Sequence, residues 1–427
     1  MPLIIFFILW LVLLILNTPI FLSILLSTTI YLLMNGDILM SIPQKLTSSA
    51  NSFPLLAAPF FIFAGNVMNI SGITNRIFSF ADAVVGHIPG GLAHANVIAS
   101  MIFSGMSGAA VADAGGLGAI EIKAMKERNY NLKLSAGITA ASSIIGPIIP
   151  PSVPMVFYGV LSGVSIGALF IAGIIPGVLI GLSLMIMVSY IAIRDKYTTS
   201  CRPSLTFILN TFKKAFLPLL TPVILIGGII LGVFTPTEAA VAASIYSLLL
   251  GGIIYREIDL KGLYKIFLNT IETTAIVMFL VMTASLFGWI ITREEIPQKL
   301  AELLLSITTN KILLLLIINL FLLFIGCFME SLAAMIILVP VLMPLTAGIG
   351  VDPVHFGLIL ILNLMIGTLT PPVGIVLYIV SSISGLSLKE VTIATLPFLI
   401  PLIAVLLLVT YIPEISLLLP RIIMGYN

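Results

Sequence analysis

Two short stretches carry residue types and spacing that could hold an ion. SSIIGPIIPPS (142–152) and NLMIGTLTPPVG (363–374) each present the frame G-x-x-x-P-P inside a long apolar run. Proline costs a helix interior about 3 kcal/mol and removes a backbone donor. A helix broken at such a place frees carbonyls at one half-helix end and N–H groups at the other. Freed carbonyls beside Ser and Thr hydroxyls suit a bare monovalent cation, and a half-helix N-terminus favours a carboxylate. Ser104, Gly105, Ser107 and Gly108 with Ser143 and Gly146 therefore form one candidate cation cradle. Gly326, Met329 and Glu330 with Gly367, Thr368 and Thr370 form its counterpart. A single Gly-Pro break more often only kinks a helix or lets two helices pack closely. Two matching breaks argue for a site.

Acidic residues inside apolar runs are costly and mark function by default. Asp113 (GAAVADAGG) and Glu330 (CFMESLAAM) are both of this kind. Each either binds a cation or proton directly or orients neighbouring backbone and serine groups; Asp113 is assigned to the orienting role and Glu330 to ion binding. Glu238, in FTPTEAAVAA, has the spacing of a helix-capping box. Gly105-Met106-Ser107-Gly108 also matches the G-x-S-G nucleophile turn of rhomboid-type intramembrane proteases. A serine nucleophile needs a base in reach, and His87, His94 and His355 include none inside a later span, so proteolysis is disfavoured. No G-x-x-x-x-G-K-[ST] phosphate loop exists. Cys201 and Cys327 lie far apart without ligand spacing, so neither a disulfide framework nor a metal site is implied. No enzyme and no cofactor is implied.

These residues must be positioned by membrane-embedded helices. The 427 residues are 60% hydrophobic and 8% charged, against roughly 25% charged in soluble domains. Apolar runs such as 2–16, 174–193 and 397–412 approach the roughly 20 residues that span a bilayer core. Period-2 alternation is missing, which excludes a β-barrel. Met1 leads into apolar sequence without a basic region, so the start reads as a membrane segment rather than a signal peptide. The net charge of +2 gives no reason to expect nucleic acid. The chain reads as a single all-α polytopic membrane domain.

The longest polar stretch, RDKYTTSCRPSLTFILNTFKK (194–214), is basic and is expected as a cytoplasmic loop. The sequences around it repeat. A shift of 221 positions lays Gly146 through Pro151 on Gly367 through Pro372, and Phe103 and Gly105 on Phe324 and Gly326. It also lays the link 123–133 on 344–354. The first link holds Lys123, Lys126, Arg128 and Lys133; the second holds neither Lys nor Arg. Unlike charge bias predicts opposite sides of the membrane, hence inverted repeats with two discontinuous helices, the pattern of a secondary transporter. The expected layout is repeat one at about 54–193, the loop, scaffold helices at about 215–270, and repeat two at about 271–420. Segments 94–122 and 311–344 read as re-entrant hairpins, whose non-helical tips survive only in protein or a wet cavity. Amphipathic pieces at 71–85 and 293–307 precede them.

PFFIFAGNVMNISG (59–72), the stretch 84–130 containing SGMSGAAVADAGGLGAIEIKAMKERNY, TAASSIIGPIIPPSVPMVFYGV (139–160), GVFTPTEAAVAA (232–243) and GTLTPPVGIVLY (367–378) resemble the large membrane subunit of tripartite ATP-independent periplasmic (TRAP) transporters. The resemblance covers essentially the whole chain. It implies a sodium-coupled, elevator-type importer in the bacterial inner membrane. It further implies a small four-helix membrane subunit, a periplasmic substrate-binding protein, and an organic-acid anion as substrate: a C4-dicarboxylate, sialic acid, keto acid or sugar acid. Carried onto this chain, the sodium ions fall at the hairpin tips and helix breaks, and Ser107 and Ser152 serve the substrate carboxylate. The chain begins at the large subunit, so the small one is expected as a separate polypeptide. A stand-alone sodium/dicarboxylate symporter and an ion channel are the rival readings.

Overall fold

The computed structural model describes residues 2–16, 18–197, 203–308 and 310–426, without the side chains of Ile15, Ser107, Ala301, Leu304, Leu305 and Ile307. Among the described residues every regular element is helical. Helices α1 (Pro2–Ile15), α2 (Ile20–Met34), α3 (Ser41–Ala50), α4 (Ala57–Ile70) and α5 (Ile73–Val85) lead in. The first set of short helices follows: α6 (Gly91–Ser107), α7 (Ala110–Ala112), α8 (Gly118–Glu127), α9 (Leu132–Ser143) and α10 (Val153–Ser162). Longer helices come next: α11 (Ile166–Arg194), α12 (Leu205–Ile230), α13 (Pro236–Leu248) and α14 (Leu260–Arg293), then α15 (Ile296–Ile307). The second set of broken helices is α16 (Lys311–Phe328), α17 (Ser331–Gly348), α18 (Pro353–Gly367) and α19 (Ile375–Ser384), closed by α20 (Leu388–Tyr411) and α21 (Glu414–Met424). Eight helices among the described residues are long and apolar enough to cross a membrane.

The two Gly-Pro-Pro stretches are helix breaks, as their sequences require. α9 stops at Ser143 and α10 starts at Val153; α18 stops at Gly367 and α19 starts at Ile375. Both Pro-Pro bonds, 150–151 and 371–372, are cis. α9 is buried from Ser135 onward and α18 from Val354 onward. A helix buried on every face sits at the centre of a helical protein, and these two lie within its core.

Side-chain bridges set the packing around that core. In the first half Ser142 donates to Asn96 Oδ1 (2.7 Å), tying α9 to α6. In the second, Asn363 donates to Asn319 Oδ1 (2.7 Å), tying α18 to α16. The 221-residue shift lays Ser142 on Asn363, so both bridges leave the same register position. Across the halves, the Tyr158 hydroxyl donates to the Pro353 carbonyl (2.6 Å). On the flank, α4 is held by Asn66 Nδ2 donating to Thr270 Oγ1 of α14 (3.0 Å) and by Ser244 of α13 donating to the Phe60 carbonyl (2.7 Å).

Two details differ from the expected layout. The segment expected as a loop is helical from Leu205, where α12 starts with the Ser204 hydroxyl accepting from Phe207 N (3.2 Å); residues 198–202 lie outside the described ones. The boundary expected near 270 falls inside α14, one unbroken helix of 34 residues. Thr235 and Glu238 do form the anticipated capping box at the start of α13.

Candidate ion and substrate site

The site is built from two tips and two breaks. α6 is capped by Gly108, whose φ of +60° lies in the left-handed region that only glycine enters freely. A Cβ there would also lie 2.6 Å from the Pro151 carbonyl oxygen. The close approach lets Val153 N donate to Gly108 O (3.2 Å), so the tip after α6 is bonded to the end of the first break. The second half repeats this: Val373 N donates to the Cys327 carbonyl (3.2 Å), joining the tip after α16 to the second break. Gly326 and Gly367 meet backbone to backbone, and a Cβ on Gly367 would lie 2.5 Å from Gly326 Cα.

Between these four backbone segments lies a small cavity of about 60 Å³. Its wall includes Ala109 and Val111 from the first tip, Pro147 and Val153 at the first break, Glu330 and Ser331 from the second tip, and Thr368 at the second break. A larger cavity of about 510 Å³ shares Ala109, Val111, Val153 and Leu332 with it and extends between α4 and α14.

The expected ion ligands take up a common posture. Ser104 donates to the Met101 carbonyl (2.7 Å), Ser143 to Ala140 (2.8 Å), Thr368 to Met365 (2.6 Å) and Thr370 to Gly367 (2.8 Å). Each hydroxyl hydrogen is thus spent three residues back along the chain. Its oxygen keeps lone pairs, which is the half a cation uses. Gly146 lies beside Ala109 of the tip, whereas Gly105 faces Pro222 of α12. Met329 is extended, with its side chain partly buried against the core. Glu330 caps α17, accepting from Leu332 N (2.9 Å), Ala333 N (3.1 Å) and Ser331 Oγ (2.9 Å). Ser152 caps α10 by accepting from Met155 N (3.2 Å) and donates to the Pro147 carbonyl. Ser107 closes α6, and its side chain lies outside the described ones.

Asp113 opens a π-helical turn, Asp113–Leu117, and is buried; Ser100 donates to its Oδ1 (3.4 Å). Sequence reasoning missed the network behind it. Asn96 donates to both Glu121 (2.6 Å) and Thr139 (2.7 Å) while accepting from Ser142. Its signal was legible as Asn96 and Glu121 inside largely apolar sequence. Cys327 was missed too: its sulfur lies 2.8 Å from Thr370 Oγ1. Two of the three histidines are engaged elsewhere, His94 with Ser189 (3.3 Å) and His355 with the Thr410 carbonyl (3.3 Å). His94 and Ser107 share α6 thirteen residues apart, which is about 20 Å of helix.

Long apolar helices wrapped around paired helix breaks define a multi-pass membrane protein, and its fold is shared with solved transporters. The *Alcanivorax borkumensis* YdaH transporter matches with a TM-score of 0.63 at 14% identity, over 87% of this chain and 86% of that one. *Neisseria gonorrhoeae* MtrF, of a class of antimetabolite efflux pumps, matches with a TM-score of 0.57 at 13% identity, over 87% and 83%. The sequence signature of the family described as tripartite ATP-independent periplasmic transporter, DctM component, matches residues 4–415, and the chain belongs to that family. It is 49% identical to the sialic acid TRAP transporter large permease protein of *Vibrio cholerae* over 98% of both chains. It is 41% identical to the sialic acid TRAP transporter permease protein of *Haemophilus influenzae*, over 97% of this chain and 67% of that one. With the C4-dicarboxylate TRAP transporter large permease protein of *Pseudomonas aeruginosa* it shares 39%, over 91% of each. The protein is a multi-pass TRAP large permease.

Proposed function

We propose that this permease imports an organic-acid anion across the bacterial inner membrane, driven by sodium. The observation that carries the reading is the cavity of about 60 Å³ walled by both tips and both breaks. Freed carbonyls and hydroxyl lone pairs on each side supply oxygen for sodium, and the positive N-terminal ends of α10 and α19, which carry no acidic cap, favour a carboxylate. Ser104, Ser143, Thr368 and Thr370 act as sodium ligands in this scheme, and Ser152 stands at the α10 end where a carboxylate would bind. The matched tip-to-break bonds at Val153 and Val373 support two inverted repeats, with α6–α8 and α16–α17 as re-entrant hairpins. The two halves carry the site elevator-fashion past α4, α13 and α14. The 49% identity to a sialic acid permease makes a sialic acid the leading substrate, ahead of a C4-dicarboxylate. A small membrane subunit and a periplasmic binding protein complete the transporter.

Reconstitution tests this. Proteoliposomes carry the chain alone, with the small subunit, or with both subunits and the binding protein, under an inward sodium gradient. Only the complete set accumulates substrate at low concentration. Full-rate uptake by the isolated chain would instead support a stand-alone sodium symporter, and passive ion current a channel.

A further inference from the structure

The larger cavity holds one charged side chain. Lys265, Asn269 and Thr273 stand four residues apart along one face of α14, and Asn66 and Asn69 line the wall from α4. Lys265 makes no ion pair or hydrogen bond among the described residues, and no acidic residue lines the cavity. The side chains of Asn269 and Thr273 have no hydrogen-bond partner among the described residues either, whereas Asn66 spends its Nδ2 on Thr270. Asn69 keeps its Oδ1 buried and unpartnered against the backbone of Gly116. The Lys265 ammonium, exposed on a concave wall that carries no acidic residue, draws an anion in. The cavity follows α14 from Lys265 to Val277, about 18 Å of helix.

We propose that Lys265 is the carboxylate anchor of a substrate subsite adjoining the tip cavity, and that this subsite selects a monocarboxylate rich in hydroxyl or amide groups. One ammonium balances one carboxylate, while uncharged amide and hydroxyl groups suit a polyhydroxylated body. A C4-dicarboxylate would leave its second charge without a counter-charge there. The anion reaches or leaves the tip cavity past the shared wall of Ala109, Val111, Val153 and Leu332. This inference rests on the transport reading above and assigns a residue that reading does not use.

The test is K265C in a background with Cys201 and Cys327 replaced by alanine, reconstituted as the complete transporter. The thiol of K265C is modified with methyl methanethiosulfonate, which is neutral, or with 2-aminoethyl methanethiosulfonate, which restores an ammonium. Uptake of N-acetylneuraminate at sub-saturating concentration falls at least fivefold with the neutral reagent and returns to within twofold of the Lys265 parent with the charged one. A purely structural role would not distinguish the two reagents, and equal effects overturn the anchor. In the purified chain, N-acetylneuraminate slows modification of K265C and succinate at equal concentration does not; equal protection by succinate overturns the monocarboxylate selectivity. Protection without sodium-driven uptake in the parent leaves the subsite standing and sinks the transport reading. Uptake without protection does the reverse.

Discussion

Gly367 and Gly326 show how much one hydrogen matters where two backbones touch. A Cβ on Gly367 would sit 2.5 Å from Gly326 Cα and 2.6 Å from its carbonyl carbon, and neither atom can swing aside as a side chain could. Gly367→Ala is expected to cost roughly 1–3 kcal/mol through overpacking, read as a lower melting temperature in detergent. Gly227→Ala, where nothing lies within 4 Å, is the control and should not fall. Equal melting of the two variants would mean that α16 and α18 do not meet as described. Thr370 belongs to the same scale. Thr370→Val keeps the shape but removes the oxygen that now bonds Gly367 and faces Cys327. If that oxygen serves sodium, the sodium concentration for half-maximal uptake rises several-fold, and Ser143→Ala in the first half does likewise. Unchanged sodium dependence in both would move the ions elsewhere.

At the scale of elements, the broken helices are joined to their hairpin partners by buried amides and hydroxyls. Asn319 accepts from Asn363 and donates to Thr410 (3.0 Å), so it links α16, α18 and α20. Asn319→Leu leaves the Asn363 amide without that acceptor, at a cost of about 1–3 kcal/mol for an unsatisfied buried group. Replacing both asparagines by leucine should cost less than the two single changes added together, because residues that share one bridge are not independent. Strict additivity in melting experiments would show that the bridge does not form. These joints were half legible. Asn319 and Asn363 stand out in their apolar runs, yet a sequence cannot say which polar group meets which. Pairing is fixed by the crossing of α16 and α18, and that crossing is set by Gly326 on Gly367.

For the whole molecule, the orientation of the two halves rests on loop charge. Lys123, Lys126, Arg128 and Lys133 crowd the first link, while the second meets one lysine, Lys311, whose ammonium donates to the Gly350 carbonyl (2.7 Å). Single cysteines at Lys126 and at Gly348, both exposed, should therefore react differently with an impermeant thiol reagent added outside whole cells. The Gly348 position labels and the Lys126 position does not. Equal labelling would remove the ground for inverted repeats.

Composition and periodicity by themselves determined that this is an all-helical membrane protein, because 60% apolar residues in runs of bilayer length have no other stable outcome. Proline and glycine placed three of the four interruptions, since their backbone chemistry is local, while the second tip at Met329–Glu330 holds neither. The capping box at Thr235 and Glu238 was legible for the same reason. What only the tertiary structure decided is which interruption faces which. It seats Gly108 on the Pro151–Val153 segment and sets Gly105 against Pro222 of α12. It also opens a second cavity beside the first and sets Lys265 in its wall. These are contacts between residues up to about two hundred positions apart, and no local preference encodes them. They follow from how small residues let particular helices approach, and only the packed whole resolves that.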